Sequence, residues 1–203
     1  LIKMIVMSST YQQDSRRAEM AASKDPENRF LSSGPANRLT AEMLRDNVLF
    51  ASGMINCEVG GKSIKPYQPP GLWEINSANY IPDSTQLAYK RSMYITVKRS
   101  VPNPTMSTFD SPDRSQCLSR RQKTNTPLQA LVLLNDPTYL EAALVLGVQM
   151  SQNADSVAAI KETYTMLTAR DPSETELKLL VDFYLLEFQK FKNDFVILLN
   201  ESP

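Results

Sequence analysis

Apolar residues recur every three or four positions through the last third of the chain, which is the spacing of amphipathic helices. The first apolar stripe contains Leu128, Leu131 and Val132, and we expect these side chains to face inward. The last stripe runs from Leu177 to Phe191. Because four such stripes follow one another after residue 126, residues 126–200 are predicted to form a helical bundle.

Helix-start signals separate these stripes. Thr126, Pro127 and Gln129 combine a capping residue, a proline at the first helical position and a capping-box partner. Asp136 is expected to cap a second helix that runs to about Gln152. A third helix is predicted to begin at residues 155–156, and a capping box at residues 173–176 is predicted to open a fourth.

Residues 1–53 are predicted to be mainly helical. Thr40 is a natural N-cap for a helix over residues 41–52, and Gly53 suits the end of that helix. A short polar helix is expected over residues 15–23, followed by a turn at Asp25. The sequence opens with helical apolar spacing and without a methionine, so we expect it to be a fragment of a longer, multidomain protein.

Residues 54–125 are predicted to form a long irregular excursion packed on the bundle. Most of the thirteen prolines lie between Pro26 and Pro112, which favours irregular chain there. Aromatic residues in this excursion favour packing over a free loop (Tyr67, Trp73, Tyr80 and Tyr89). Residues 91–100 are ambiguous, since 95–97 favour a strand and the lack of a partner strand favours a short helix or an isolated extended piece. The prediction is an all-α fold in a single domain over residues 1–203.

Composition excludes several classes of chemistry. Lysine plus arginine equals aspartate plus glutamate, 22 each, so no overall charge attracts nucleic acid. Histidine is absent, which removes Ser–His–Asp and Cys–His nucleophiles and histidine-ligated zinc or haem from the chain itself. No run approaches the roughly 18 apolar residues of a transmembrane helix. We expect no cofactor, no metal and no nucleic acid partner for this chain.

The segment FDSPDRSQCLSRRQ, residues 109–122, carries the densest set of candidate functional groups. Asp110 and Asp113 could act as an acid/base pair or bind a hard cation such as calcium. The alternative is a turn that begins at Asp110, with Asp113 as the cap of a short helix.

A second candidate is a cluster of arginines that could clamp a carboxylate, sulfate or phosphate group. Its members are Arg114, Arg120 and Arg121, with Arg91, Lys98 and Arg99 nearby in the sequence. The alternative is a set of salt bridges that hold the irregular loops to the bundle.

The cysteines and the tryptophan have structural alternatives too. The arginines beside Cys117 would make its thiol more reactive, but no histidine is available as a base. Cys57 and Cys117 could form one disulfide in an exported protein, or stay as two unpaired thiols. Trp73 could stack on a sugar ring, or anchor the loop to its own core.

Several words of the sequence occur in a recognisable order. They include DPENR at 25–29, NRLTAEMLRDNVLFASG at 37–53 and a block from RSMYITVKRS at 91–100 to NDPTYLEAA at 135–143. Together they closely resemble the domain of unknown function 1553, the C-terminal PSD-one domain of planctomycete-type proteins that also carry a cytochrome c-like domain. The matching words fall on Arg38, Glu42, Asp46, Arg91, Arg99, Asp110, Cys117, Arg121, Gln129, Asn135 and Asp136.

The resemblance carries expectations about location and partners. It implies an exported protein of the periplasm or cell envelope, with haem bound by an upstream domain and not by this chain. It implies upstream domains of the same polypeptide as partners. Such genes tend to occur in bacteria rich in sulfatases and polysaccharide degradation, so polysaccharide is a further expected ligand.

Three functional hypotheses follow. The first is a structural or interaction module that docks its upstream domains, or a partner, through the polar residues 98–123. The second is a contribution of arginine and aspartate to a site shared with those domains, acting on sulfated polysaccharide or in a redox reaction. The third is a carbohydrate-binding module. A pocket that unites Asp110, Asp113 and arginines favours the second, and Trp73 on an exposed flat face favours the third. Arginines taken up by internal partners favour the first.

Overall fold

The computed structural model describes residues 1–34, 37–73 and 79–200, with side chains described except at Thr85 and over 194–200. The chain divides into two compact units, Leu1–Leu39 and a second that begins at Thr40. Each unit is described by itself.

The first unit holds two short helices, α1 (Ile2–Val6) and α2 (Glu19–Lys24). The helix expected over residues 15–23 thus begins four residues late. Arg17 explains the delay, because its guanidinium donates to the carbonyl oxygen of Pro26 at 2.6 Å and to the Ser33 hydroxyl at 3.2 Å. Those bonds stabilise an extended backbone before the helix.

A turn centred on Asp25 follows α2, as predicted. The buried Asp25 carboxylate accepts hydrogen bonds from the backbone N–H groups of Arg29 at 2.7 Å and Phe30 at 2.9 Å. Burial raises the pKa of this carboxyl, but the hydrogen bonds and Arg17 outweigh it and hold the pKa below its usual value. The carboxylate therefore acts as a cap that organises the turn.

The second unit is built on six α-helices within the part of the chain that the structure describes. They are α3 (Ala41–Ala51), α4 (Pro104–Thr108), α5 (Pro127–Asn135), α6 (Pro137–Ser151), α7 (Ser156–Thr168) and α8 (Glu174–Asn200). Single 3-10 turns lie at Thr85–Leu87 and Ser92–Tyr94. Among the described residues no strand occurs, so the predicted all-α class is confirmed.

The predicted helix starts are confirmed by their hydrogen bonds. Thr40 accepts from the N–H of Met43 at the start of α3, and a full capping box of Thr126 and Gln129 opens α5. Asp136 caps α6 and Asp155 caps α7 by accepting from backbone N–H groups two or three residues ahead. Short polar side chains satisfy the free N–H groups of a first turn, which is why these sequence signals were reliable.

Helices α5 to α8 pack in sequence, each against the next, and α3 lies against α6 and α7. Two amide side chains tie α3 to this stack. Asn47 donates to the carbonyl oxygen of Leu167 at 3.1 Å, and Gln149 donates to that of Ser52 at 3.0 Å. Among the described residues, the buried apolar residues of this unit include Ala41, Leu49, Ala51, Ile64, Pro66, Met106, Tyr139, Ala142, Leu146, Ala159 and Ile160.

The predicted burial of the α5 stripe is wrong. Leu128 and Leu131 are each 55% exposed, whereas Gln129 is buried. Gln129 turns inward because its amide donates to the Thr108 carbonyl oxygen at 2.9 Å and to the Thr124 hydroxyl at 3.1 Å. Those bonds rotate α5 so that its polar residue faces the interior and its leucines face outward.

One helix of the irregular region was not predicted, and the ambiguous residues 91–100 adopt both of the conformations left open for them. Helix α4 was missed, although Asn103 caps it and Pro104 occupies its first position. Residues 91–100 combine both readings, since a 3-10 turn at Ser92–Tyr94 is followed by an isolated parallel bridge between Ile95 and Ile64. The bridge partner lies about thirty residues earlier, beyond the reach of a local pattern.

Candidate functional site

Helix α3 carries a buried arginine. Arg45 is 3% exposed and donates to three acceptors in the irregular segment. Its guanidinium lies 2.6 Å from the Ala88 carbonyl oxygen, 3.0 Å from that of Lys90 and 3.2 Å from the Ser92 hydroxyl. Sequence reasoning missed Arg45. Arg45 lies four residues from both Ala41 and Leu49, so helical spacing places it on the same buried face as these two residues.

The two carboxylates of α3 bind two different parts of the irregular region. Asp46 accepts from the backbone N–H of Ser92 at 2.7 Å and lies 3.9 Å from the Arg91 guanidinium. Glu42 accepts from Arg121 at 2.7 Å. Burial raises the pKa of Glu42, but the Arg121 guanidinium and further hydrogen bonds outweigh it and lower the pKa overall.

Lys90 extends this network. Its ammonium group is almost fully buried and donates to the Gly60 carbonyl oxygen at 2.5 Å. It also lies 4.7 Å from the centre of the Tyr94 ring and 4.0 Å from the Glu58 carboxylate. A carbonyl dipole, an aromatic face and a carboxylate together compensate the buried charge.

Asp110 closes a loop. Its carboxylate accepts from the backbone N–H of Thr124 at 2.7 Å and from the Thr124 hydroxyl at 2.8 Å. Its backbone adopts a left-handed conformation, with φ of +61°. We call residues 110–124, joined at their ends in this way, the clamped loop. Asp110 is therefore engaged by the loop itself.

The other candidates of this segment point to different places. Asp113 is exposed and accepts from the N–H and the hydroxyl of Ser115, so it caps a turn and not the short helix that was expected. Arg114 also has φ of +61° and lines a surface cleft of about 420 Å³ beside Glu42. Arg99 and Arg120 are exposed.

The structure thus separates the predicted cluster. Arg121 is paired with Glu42, and Asp110 is paired with Thr124. Of the described residues that line the Arg114 cleft, none is Asp110 or Asp113. Within the described ranges no group of three or more histidine, cysteine, aspartate or glutamate side chains could hold a metal ion. Cys57 and Cys117 are both free, exposed thiols.

Trp73 lines a pocket of about 440 Å³ in the proline-rich segment. The indole is half-buried, with the Tyr80 ring 4.8 Å away and the Lys98 ammonium 4.4 Å from its centre. Its Nε1 and the Oε1 of the buried Gln68 have no hydrogen-bond partner. Trp73 is therefore part of a concave pocket and not an exposed flat platform.

A smaller cleft, with room for about one water molecule, lies where α3, α4 and the start of α6 meet. Arg45 and Asp136 are its charged residues, and Pro66 and Met106 are among its apolar walls. Hydroxyl groups line it too, from Tyr67, Thr105, Thr138 and Tyr139. Both Asp136 oxygens are occupied, by Thr105 and by the backbone N–H of Thr138. We call this space the Arg45 cleft.

Two buried donors of the Arg45 cleft have no partner. They are the Nε of Arg45 and the hydroxyl of Tyr139, which is 5% exposed. Burial raises the pKa of Tyr139, and the Asp136 carboxylate raises it further, so the hydroxyl keeps its proton. Burial lowers the pKa of Arg45, against the effect of Asp46 and other neighbours.

The helical surface of the second unit carries many exposed apolar side chains. On α8, Leu179, Phe183 and Leu186 form one stripe, and they are 68%, 61% and 53% exposed. Tyr184, Phe188 and Phe191 lie on the opposite face and are also exposed. Further exposed residues on α5 and α6 are Leu128, Leu131, Leu134, Leu140, Leu144 and Val148.

No single helix of the described chain is long and apolar enough to cross a membrane. Helices α5 and α6, bent by 60° at Asp136, reach that length and composition when taken together.

The fold and the polar network define an all-α domain in which α3 anchors an irregular segment to a helical stack. The chain belongs to the PSD1 family, described as a protein of unknown function (DUF1553), whose model matches residues 1–184. The resemblance seen in the sequence is thereby confirmed. No curated protein and no solved structure matches the chain.

Proposed function

We propose that this domain is a protein–protein interaction module that docks domains upstream of it in an exported, cytochrome-bearing polypeptide. The single observation that carries the proposal is the apolar surface of α8. Leu179, Phe183 and Leu186 form a stripe at helical spacing on the face opposite Tyr184 and Phe188. A helix with apolar residues on opposite faces is normally buried on both.

The polar network supports a binding role over a catalytic one. Several charged groups that were candidates for ligand binding instead bind other residues of the domain. Arg121 binds Glu42, Asp110 binds Thr124, and Arg45 holds the segment from Ala88 to Ser92. The proposed docking surface is therefore the apolar one, and the polar residues 98–123 hold the loop.

The α8 stripe gives a direct test. The variant Leu179→Gln/Phe183→Gln/Leu186→Gln keeps the helix, because glutamine is a good helix former and these side chains are exposed. Burial of one such side chain contributes about 1.5–3 kcal/mol. Loss of three should weaken binding to the separately expressed upstream domains more than about 100-fold in calorimetry.

The matched control is Lys178→Gln/Asp182→Asn, which changes exposed polar residues that lie beside the stripe on the same helix. We expect it to bind like the unaltered chain. Equal binding by the glutamine variant would refute docking through α8. If the unaltered chain dimerises as its concentration rises and the glutamine variant does not, the stripe binds a second copy of the chain and not an upstream domain. If the unaltered chain co-sediments with lipid vesicles and the glutamine variant does not, the stripe binds a membrane surface.

A second candidate function is the binding of a hydroxyl-rich ligand, such as a polysaccharide, in the Trp73 pocket. The specific observation is the pair of unpartnered buried atoms, a donor at Trp73 Nε1 and an acceptor at Gln68 Oε1. A sugar hydroxyl both donates and accepts, so one such group suits both atoms.

Trp73 is the one tryptophan of the chain, so its fluorescence reports on this pocket alone. Titration with neutral and sulfated oligosaccharides should shift the emission in a saturable manner. Gln68→Leu should abolish the shift while the fold is retained, and Gln86→Leu, at an exposed glutamine outside the pocket, should preserve it. An unchanged emission throughout would remove this candidate. The shared active site stays a prediction that requires the upstream domains.

A further inference from the structure

The clamped loop presents a stretch of backbone that no other part of the domain occupies. Residues 113–123 are all exposed. Within the described chain, residues 113–122 lie in no helix and neither donate nor accept a backbone–backbone hydrogen bond. A peptide that is bound in extended form pairs its backbone N–H and C=O groups with the partner, so those groups must be free. An endoprotease could therefore bind this stretch without any local unfolding of the domain.

Adjacent basic residues distinguish this loop from the other exposed parts of the chain. The sequence contains four such pairs, at 16–17, 90–91, 98–99 and 120–121. Arg17 of the first pair donates to the Pro26 carbonyl oxygen at 2.6 Å. Lys90 of the second is 2% exposed, and the ammonium group of Lys98 in the third is buried against the Trp73 ring. The pair at 120–121 is thus the one that lies in backbone free of hydrogen bonds and keeps an accessible guanidinium.

The two arginines of this pair are not equivalent. Arg120 is exposed, and its side chain makes no hydrogen bond or ion pair with the described residues. Arg121 is bound to Glu42 at 2.7 Å and would have to leave it before entering another pocket. A protease that cuts after a basic residue binds its guanidinium in a pocket that ends in a carboxylate. Arg120 is therefore the residue that fits such a pocket.

Contacts on both sides of the pair hold the domain together. Helix α3 lies against α6 and α7, and α4 lies against α5, so elements before the loop pack on elements after it. Asn47 donates to the Leu167 carbonyl oxygen at 3.1 Å across the same division. Asp110 and Thr124 join the two ends of the loop at 2.7 Å. A break inside the loop leaves all of these contacts in place.

We propose that the clamped loop is a processing site for an endoprotease specific for basic residues, which hydrolyses the bond between Arg120 and Arg121. Water adds to the carbonyl carbon of Arg120 and the C–N bond breaks. Arg120 then ends in a carboxylate and Arg121 begins with an ammonium group. The two parts, residues 1–120 and 121–203, stay associated as one folded domain. The inference does not depend on the apolar surface of α8.

Limited digestion with trypsin, the standard protease of this specificity, tests the choice of bond. The first product should begin at Arg121, as read by mass spectrometry of the intact fragments. The cut protein should elute from size exclusion as a single species with the circular dichroism of the uncut chain. Arg120→Gln should slow the formation of this product more than about 100-fold, because the carboxylate of the protease pocket is left unpaired.

The matched control is Arg114→Gln, at another exposed arginine of the same loop. Arg114 has a left-handed backbone with φ of +61°, which is not the extended form that a protease binds. This variant should be cut between Arg120 and Arg121 at the rate of the unaltered chain.

A second measurement separates processing from mere susceptibility to trypsin. Mass spectrometry of the protein taken from the cells that produce it should find a chain that begins at Arg121. Recovery of the uncut chain alone would overturn the proposal. A first trypsin cut after any other residue would refute the choice of bond, and separation of the two parts on size exclusion would refute their association.

Discussion

Replacement of Arg45 by methionine should destabilise the second unit by roughly 3–5 kcal/mol. Arg45 holds three acceptors of the irregular segment, two of them the carbonyl oxygens of Ala88 and Lys90. Methionine fills much of the same volume but donates nothing, so the acceptors lose their partner. Each buried acceptor left unpaired costs about 1–3 kcal/mol, and the new apolar contacts offset part of the sum.

Urea unfolding followed by circular dichroism measures this change. The midpoint should fall while the slope of the free energy against urea stays constant, because the surface exposed on unfolding is the same. Arg45→Lys keeps the charge but offers one ammonium group to three acceptors, so we expect an intermediate loss of about 2 kcal/mol.

The control is Arg120→Met, at an exposed arginine, which should change the stability by less than about 0.5 kcal/mol. A methionine variant of Arg45 as stable as the unaltered chain would refute the reasoning. It would show that the buried charge costs as much as its three hydrogen bonds contribute.

Three further predictions concern other parts of the chain. The hydrogen bonds that Glu176 accepts lower its pKa below the ordinary 4.5. The ionised carboxylate therefore stabilises the folded state above that pH, and this stabilisation is lost as the pH falls. Glu176→Gln should flatten the decline of the urea midpoint between about pH 5 and pH 3, and an unchanged decline contradicts this. In Gly34→Ala the new Cβ would lie 2.4 Å from a backbone carbonyl oxygen, so proteolysis of the first unit should increase. In Gly147→Ala the new Cβ meets nothing within 4 Å, and the higher helix propensity of alanine should protect α6 from proteolysis. Cys57 and Cys117 should both react with a thiol reagent in native buffer, and protection of either would contradict their exposure.

Local chemistry explains which elements the sequence could predict. Thr126 with Gln129, and Asp136, identified the starts of α5 and α6, because a cap depends on residues one turn away. Asn103 and Pro104 carry the same information, but the neighbouring prolines suggested irregular chain, so α4 was missed.

The candidate site was predicted less well, because its pairings span long distances. Asp110 and Arg121 were candidates for a ligand site, with a capped turn and internal salt bridges as the alternatives, and no local pattern reveals the partners they bind, Thr124 and Glu42. Arg45 was overlooked since its three acceptors lie more than forty residues ahead. Leu128 was expected inside because periodicity defines an apolar face without saying whether anything covers it.

The clamped loop makes the domain tolerant of insertion at one defined place. Asp110 and Thr124 join its two ends, so the chain between them can lengthen without moving α4 or α5. Loop closure costs only about 0.6 kcal/mol for each doubling of loop length. Residues 115–120 are all exposed, so an epitope tag or a fluorescent domain inserted there would project into solvent. The densest charged stretch of the sequence is thus also a natural attachment point for engineering this domain.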